Sequence, residues 1–341
     1  MTATAGDRLA AQIAAAFSDF DDATAIAALC GTAAPEELAV RLEQWVTTHL
    51  RATVVRPRFF TLSVGPVAAL ELDDRRVVVV KGYQPHVRRE ALVAARRVQH
   101  HLARRAFPCA VPVAGPHPFG VSIATADGWL DDGGNDFGPG AMAASAEGLA
   151  RMVALGAEVR GVDALSEGAM TRTPGVRYPR PHSPVFDFDR PDPRVSVIDA
   201  LADRALETLR RVEAPDVTVH GDWSARNVRF GPEGLRGVYD WDSLVRMPEA
   251  FGVGIAAATW RSFGTADDAM APGPDEIDEY RTHYERARGT RFTGAERAGV
   301  GAQALYALCY TARCEIGLGS GHPVRALGRL EVSGDSFLRD A

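Results

Sequence analysis

The chain has 341 residues, 46% of them hydrophobic and 24% charged, so it can bury a substantial core and fold as two lobes or domains. Its formal net charge of −6 argues against a surface that coats nucleic acid and mildly favours a cationic small-molecule ligand. Neither a basic, apolar leader nor an apolar run of about 20 residues is present, so the sequence reads as a cytoplasmic protein without a membrane span.

In chain order, Asp7 to Leu50 is Ala- and Leu-rich with helical spacing and predicts two or three helices. The period then shortens. Val54 to Leu62, Val67 to Leu72 and Arg76 to Lys81 predict three antiparallel strands, broken by Ser63-Val64-Gly65-Pro66 and by Asp73-Asp74. A helix is expected from about Val87 to Arg105, with Leu92, Ala95, Val98 and Leu102 on one face. Pro108 and Pro112 end it, and a fourth strand follows near Gly120 to Ala124. The polar stretch Asp131-Asp132-Gly133-Gly134-Asn135 reads as a hinge.

Helical character resumes from about Gly140. Thr171 to Arg194 carries six prolines and predicts a long surface excursion or, equally, a disordered connector. Ser196 to Val212 predicts a further helix, and so does Pro274 to Arg288 with Gly289 just past its end. Thr293-Gly294-Ala295-Glu296 reads as a capping box opening a long helix to about Ile316. The four cysteines, Cys30, Cys109, Cys309 and Cys314, show no CxxC spacing and read as reduced, buried thiols.

The most specific segment is Val219-His220-Gly221-Asp222-Trp223-Ser224-Ala225-Arg226-Asn227, followed by Tyr239-Asp240-Trp241-Asp242. Asn227 to Phe230 and Leu235 to Asp240 predict a β-hairpin that folds Asp240 back beside Asn227, with Asp222 in the loop before it. A carboxylate, an amide and a second carboxylate brought together suit phosphoryl transfer, which needs a group to orient a hydroxyl and oxygens to hold Mg²⁺ on nucleotide phosphates. His220 is expected to be a packed, hydrogen-bonded scaffold residue, and Trp223 and Trp241 are expected to pack around the cleft.

His220-Gly221-Asp222, Asn227 and Asp240-Trp241-Asp242 resemble the signature of the aminoglycoside phosphotransferase and choline kinase-like family, over about Val54 to Ile316. The resemblance implies an α+β, two-lobed protein-kinase-like fold. A small antiparallel N-lobe (53–130) would precede a mainly helical C-lobe (131–341), with an extra N-terminal helical segment (1–52). It also implies Asp222 as catalytic base and Asn227 and Asp240 as Mg²⁺ ligands, with ATP or GTP as donor and a small-molecule hydroxyl as acceptor.

A kinase-like fold calls for a lysine at the end of its third strand and a helix glutamate to hold it. Lys81 ends the third strand, and of the 38 Lys and Arg residues it is the one lysine, retained where arginine would not serve. Glu90 is the candidate partner, as the one acid in the following helix. Ser63 and Gly65 are the candidate nucleotide-covering turn, without a GxGxxG pattern. Gly221 stands where protein kinases carry Arg, and no Ala-Pro-Glu segment follows, so a protein substrate is not expected. The resemblance points to an antibiotic or other natural product, of aminoglycoside or nucleoside type, as acceptor and to resistance by inactivation as the role. A metabolite kinase of choline or homoserine type and a non-catalytic nucleotide-binding pseudokinase remain as alternatives. The acidic positions Asp267, Asp268, Asp275, Glu276, Asp278 and Glu279 read as a solvated helix start or as an attractor for an aminated acceptor.

Overall fold

The computed structural model describes residues 4–18, 23–62, 64–130, 140–165, 170–171, 175–231, 234–261, 270–319 and 325–339. Ser63, the 131–135 stretch, Asp267 and Asp268 lie outside the described residues. The chain divides into two compact units, residues 1–100 with 110–131 and 182–184, and residues 101–109 with 132–181 and 185–341.

In the first unit, helices α1 (Ala5–Ser18), α2 (Ala23–Cys30) and α3 (Pro35–Leu50) precede strands β1 (Val54–Leu62), β2 (Pro66–Leu72) and β3 (Val77–Gly82). Helix α4 (Arg89–Arg104) and strands β4 (Pro112–Phe119) and β5 (Ser122–Gly128) follow. The strands form one antiparallel sheet of order β1-β2-β3-β5-β4. Alternation decides what each face does. Leu70, Val78, Val80, Ala124 and Ala126 point to one side and share a core with Leu9, Ile13, Leu42 and Val46 of the N-terminal helices. The helices expected before the strands are therefore one layer of this unit. Val79, Lys81, Thr125 and Asp127 point to the other side, where Arg96 of α4 reaches Asp127.

Strand β4 was not expected. Pro112, Pro116 and Pro118 argue against a strand, but β4 is an edge strand, where a missing amide donor is tolerated. The opposite edge, β1, carries Pro57 and two register shifts, between Val54 and Arg56 and between Pro57 and Phe59.

Gly65 sits where the β1–β2 turn crosses the end of β3. A Cβ there would come within 2.2 Å of the Gly82 carbonyl oxygen. Gln84 fastens the same turn by donating from Nε2 to the Val64 carbonyl at 2.9 Å. Gly65→Ala is expected to lower stability by about 1–3 kcal/mol, because the two backbones must separate. A denaturant melt of the variant, giving no shift in midpoint, would contradict this close approach.

In the second unit, α5 (Ala141–Gly156) and α6 (Val195–Arg210) lead to β6 (Asp216–His220), β7 (Val228–Gly231), β8 (Gly234–Val238) and β9 (Leu244–Pro248). Helices α7 (Glu249–Thr259), α8 (Pro274–Arg288), α9 (Gly294–Leu318) and α10 (Arg325–Ser333) complete it. Helix α9 is the axis on which α6, α7 and α10 pack. Both predicted helix signals hold: Gly289 ends α8 in a left-handed conformation, and Thr293 with Glu296 forms the capping box of α9. Helix α7 was not expected, because it is apolar all round and carries no helical stripe. It is buried along nearly its whole length.

Within the Pro-rich excursion, Arg177 and Tyr178 are pinned to α6 and α9. Arg177 pairs with Asp199 and Asp203, both at 2.8–2.9 Å. Tyr178 stacks on Tyr306 with centroids 5.9 Å apart. All four cysteines are buried and none of them forms a disulfide. Burial pushes the Cys30 thiol up to about 12 and raises Cys309 and Cys314 as well. Native protein is therefore expected to give no fast-reacting thiol with an aromatic disulfide reagent at pH 8, and all four after denaturation. A rapid stoichiometric phase in the native protein would contradict it.

Candidate functional site

The site segment is built by two interlocked antiparallel pairs. Strand β6 pairs with β9, and β7 pairs with β8 with Val228 opposite Val238. The expected hairpin is present, and Tyr239 N–H donates to the Asn227 carbonyl at 2.8 Å just beyond its last pair. That bond sets Asp240 beside Asn227 at the open end of the hairpin.

Asp222 leaves β6 in the loop before β7. The Asn227 side-chain amide donates to the Asp222 carboxylate at 2.7 Å and to the Asp222 carbonyl at 3.1 Å. Both donor contacts use Nδ2, so Oδ1 is the acceptor end of that amide. Asp240 adopts a left-handed conformation with φ 61°, rare for a residue with a Cβ. Its carboxylate accepts from the Ser243 hydroxyl at 3.0 Å, and its carbonyl accepts from Ser243 N–H at 2.9 Å. Asp222, Asn227 and Asp240 are each half-buried. The structure thus brings together the three polar residues singled out in this segment.

His220 ties these pieces to one another. It is fully buried; its Nδ1 accepts from Asp222 N–H at 3.3 Å, and its Nε2 lies 2.9 Å from the Tyr239 carbonyl. A neutral imidazole with its proton on Nε2 satisfies both contacts. One ring thereby sets the spacing between the loop of Asp222 and the turn of Asp240. Trp223 and Trp241 meet this imidazole edge-on, with centroids 5.7 and 5.6 Å away. The scaffold role read for His220 describes what is found, and the two tryptophans, read as packing around the cleft, pack against this ring.

Gly221 N–H donates to the Ser243 carbonyl at 2.8 Å, and a Cβ at Gly221 would stand 3.0 Å from that oxygen. A close backbone crossing therefore accounts for glycine there. Beneath the loop, the Trp223 indole donates to Ser145 at 3.0 Å, and Ser145 lies 3.0 Å from the Tyr280 hydroxyl. Sequence reading missed this support from α5 and α8, because no local pattern links residues so far apart.

Among the described residues no group of three or more His, Cys, Asp and Glu side chains could hold a metal ion. The hard oxygens of Asn227 and Asp240 nevertheless suit Mg²⁺, which binds through one or two protein oxygens and completes its shell with phosphates and water. Lys81 lies in the first unit, half-buried on β3, with its Nζ 5.4 Å from the centre of the Tyr83 ring. Glu90 is exposed in the first turn of α4. In the described part of the acidic run, Glu276 caps Gly273 and pairs with Arg261, Asp275 pairs with Arg339, Asp278 lies 3.6 Å from Arg281, and exposed Glu279 lies 3.8 Å from His283. These four acidic residues lie in the first turns of α8.

No helix among the described residues is long and apolar enough to cross a membrane. Comparison with curated protein sequences finds no match. Among solved structures, the fold is similar to an amicoumacin kinase in complex with AMP-PNP, Ca²⁺ and its ligand, with a TM-score of 0.60 at 9% identity over 89% of this chain and 95% of that one. It is also similar to a spectinomycin phosphotransferase in complex with ADP and spectinomycin (TM-score 0.53, 12% identity, 88% and 93% covered). A third likeness is to an ethanolamine kinase of Plasmodium vivax (TM-score 0.51, 11% identity, 87% and 85% covered). These likenesses establish a protein-kinase-like fold with an antiparallel sheet in one unit and a mainly helical second unit. The model of the phosphotransferase enzyme family matches residues 66–296, well over half of the chain. On that match the chain belongs to the phosphotransferase enzyme family.

Proposed function

We propose that this phosphotransferase moves the γ-phosphoryl group of ATP or GTP to a hydroxyl of a small molecule, with an antibiotic or other natural product as the acceptor. The observation that carries the reading is the constellation set by His220, in which Asp222 and Asn227 touch at 2.7 Å and Asp240 is held on the adjoining turn. In the proposed reaction the acceptor hydroxyl gives its proton to the Asp222 carboxylate. The freed oxygen bonds to the γ-phosphorus as the bond to the β-phosphate oxygen breaks, and the nucleoside diphosphate leaves with that electron pair. Asn227 and Asp240 are the residues that would hold Mg²⁺, which neutralises phosphate charge when bound. Lys81 is assigned to the nucleotide phosphates, and Gly65 to the turn that covers them.

Two of the similar folds carry antibiotic names, amicoumacin and spectinomycin, and support an antibiotic-type acceptor; the ethanolamine kinase marks the metabolite alternative. Resistance by inactivation would be the biological role. The test mixes protein, Mg-ATP or Mg-GTP and a panel of hydroxylated antibiotics and amino alcohols, and follows nucleoside diphosphate release. Acceptor-dependent release that disappears in Asp222→Ala is the expected result. Nucleotide binding without turnover on any acceptor would sink the enzymatic reading in favour of a binding role.

A further inference from the structure

We propose that Asp127 on β5, rather than Glu90 on α4, is the counter-charge that positions the Lys81 ammonium for nucleotide phosphates. This deepens the phosphotransferase reading and rests on it. Lys81 pairs with Thr125 and Val79 pairs with Asp127 across β3 and β5. Residues two apart on one strand share a face, so Lys81 and Asp127 stand diagonally on the same side of the sheet. Such diagonal neighbours are about 7–8 Å apart, within reach of a lysine side chain. Burial holds the Asp127 carboxyl above its ordinary value, and the Arg96 and Lys81 charges beside it pull the other way, Arg96 more strongly than Lys81.

The surroundings of Asp127 explain why an acid is needed there. Arg96 of α4 donates to the Asp127 carboxylate at 2.9 Å and to the Ala126 carbonyl at 2.9 Å, and its side chain is 11% exposed. Gln99 also hydrogen-bonds the carboxylate. Tyr83 stands on the same face, with its hydroxyl 3.0 Å from Thr125 and its ring beside the lysine. Where α4 meets this face it therefore offers a cation, Arg96. Without an intervening carboxylate, Arg96 and Lys81 would repel each other across a half-buried surface. Asp127 screens one from the other and leaves the trio with one net positive charge, the sign a triphosphate requires. Glu90, one turn into solvent, is the one acid of α4 and is not needed for that balance.

Because Lys81 is the one lysine in the chain, its acylation can be read without interference from other side-chain amines. The experiment measures the rate of Lys81 acetylation by mass spectrometry from pH 7 to 11 in wild type and in Asp127→Asn, Asp127→Glu, Arg96→Gln and Glu90→Gln. Only the uncharged amine reacts. Asp127→Asn is expected to lower the lysine's proton affinity and raise its rate at pH 8 by about three- to tenfold, a shift of roughly half to one pH unit. Asp127→Glu should restore it, and Arg96→Gln, which removes a repelling cation, should slow it by about threefold. The same Asp127→Asn protein should show a raised KM for the Mg-nucleotide with a smaller change in kcat. A rate that responds to Glu90→Gln and not to Asp127→Asn overturns the proposal. If Asp127→Asn does not fold, the opposite-sign response of Arg96→Gln decides: slower acetylation supports the trio, and an unchanged or faster rate overturns it. Acetylation reads the charge pair even if no acceptor is ever turned over, so the outcome is separate from that of the function test.

Discussion

Asp222→Asn is expected to lower turnover by about 10²–10⁴-fold while leaving the melting temperature nearly unchanged. The size follows from what a positioned general base contributes to a proton transfer. The small structural effect follows from the site itself. An asparagine has the shape of the aspartate and keeps a carbonyl oxygen that can accept from Asn227 Nδ2, so the 2.7 Å contact survives. What is lost is the negative charge that would receive the acceptor's proton. Nucleotide affinity should change little, because the proposed partner of Asp222 is the acceptor hydroxyl rather than the phosphates. Steady-state kinetics with a turned-over acceptor, paired with a nucleotide thermal shift, checks both halves. Turnover within threefold of wild type would remove Asp222 from the base role.

The second large effect is expected at His220, where the loss is structural first. His220→Leu keeps the volume but strips the imidazole from Asp222 N–H and the Tyr239 carbonyl, which have met it at 3.3 and 2.9 Å. Each backbone group left without a partner costs about 1–3 kcal/mol, so a loss of roughly 2–4 kcal/mol is expected. For a unit of this size that is on the order of a 5–10 °C fall in melting temperature. Activity should fall further than stability, because the same ring spaces the Asp222 loop from the Asp240 turn. His220→Asn, which can still reach one of the two partners, should recover part of both. Equal melting temperatures for wild type and His220→Leu would show that the two backbone groups find other partners.

The site hairpin and the helix ends of the second unit were legible, and the reason is locality. The capping box at Thr293 and Glu296, the left-handed Gly289 and the β7–β8 hairpin are all written within a few residues of where they act. The conjunction of Asp222, Asn227 and Asp240 could be read because a single hairpin brings the last two together. Strand β4 was hidden because three prolines mean different things at the edge and in the middle of a sheet, and neighbour order decides which applies. Helix α7 was hidden because an element buried on every side has no stripe to read. Asp127 was hidden for a third reason. Its partnership with Arg96 depends on which strands are adjacent and in what register, a property of the assembled sheet. The same holds for Ser145 under Trp223. Residues that act through distant neighbours leave no local trace.

The two edges of the five-stranded sheet also bear on how the chain behaves at high concentration or while still being synthesised. Along β4 the prolines remove amide donors, and along β1 the register shifts around Pro57 interrupt the row, with Arg56 and Arg58 adding charge beside it. A β-sheet propagates between molecules by presenting an unbroken ladder of donors and acceptors to the next strand. Neither edge here presents one. Growth of the sheet by recruitment of a second chain, the first step toward fibrillar aggregates, is therefore blocked at both ends by residues that cost the native sheet little.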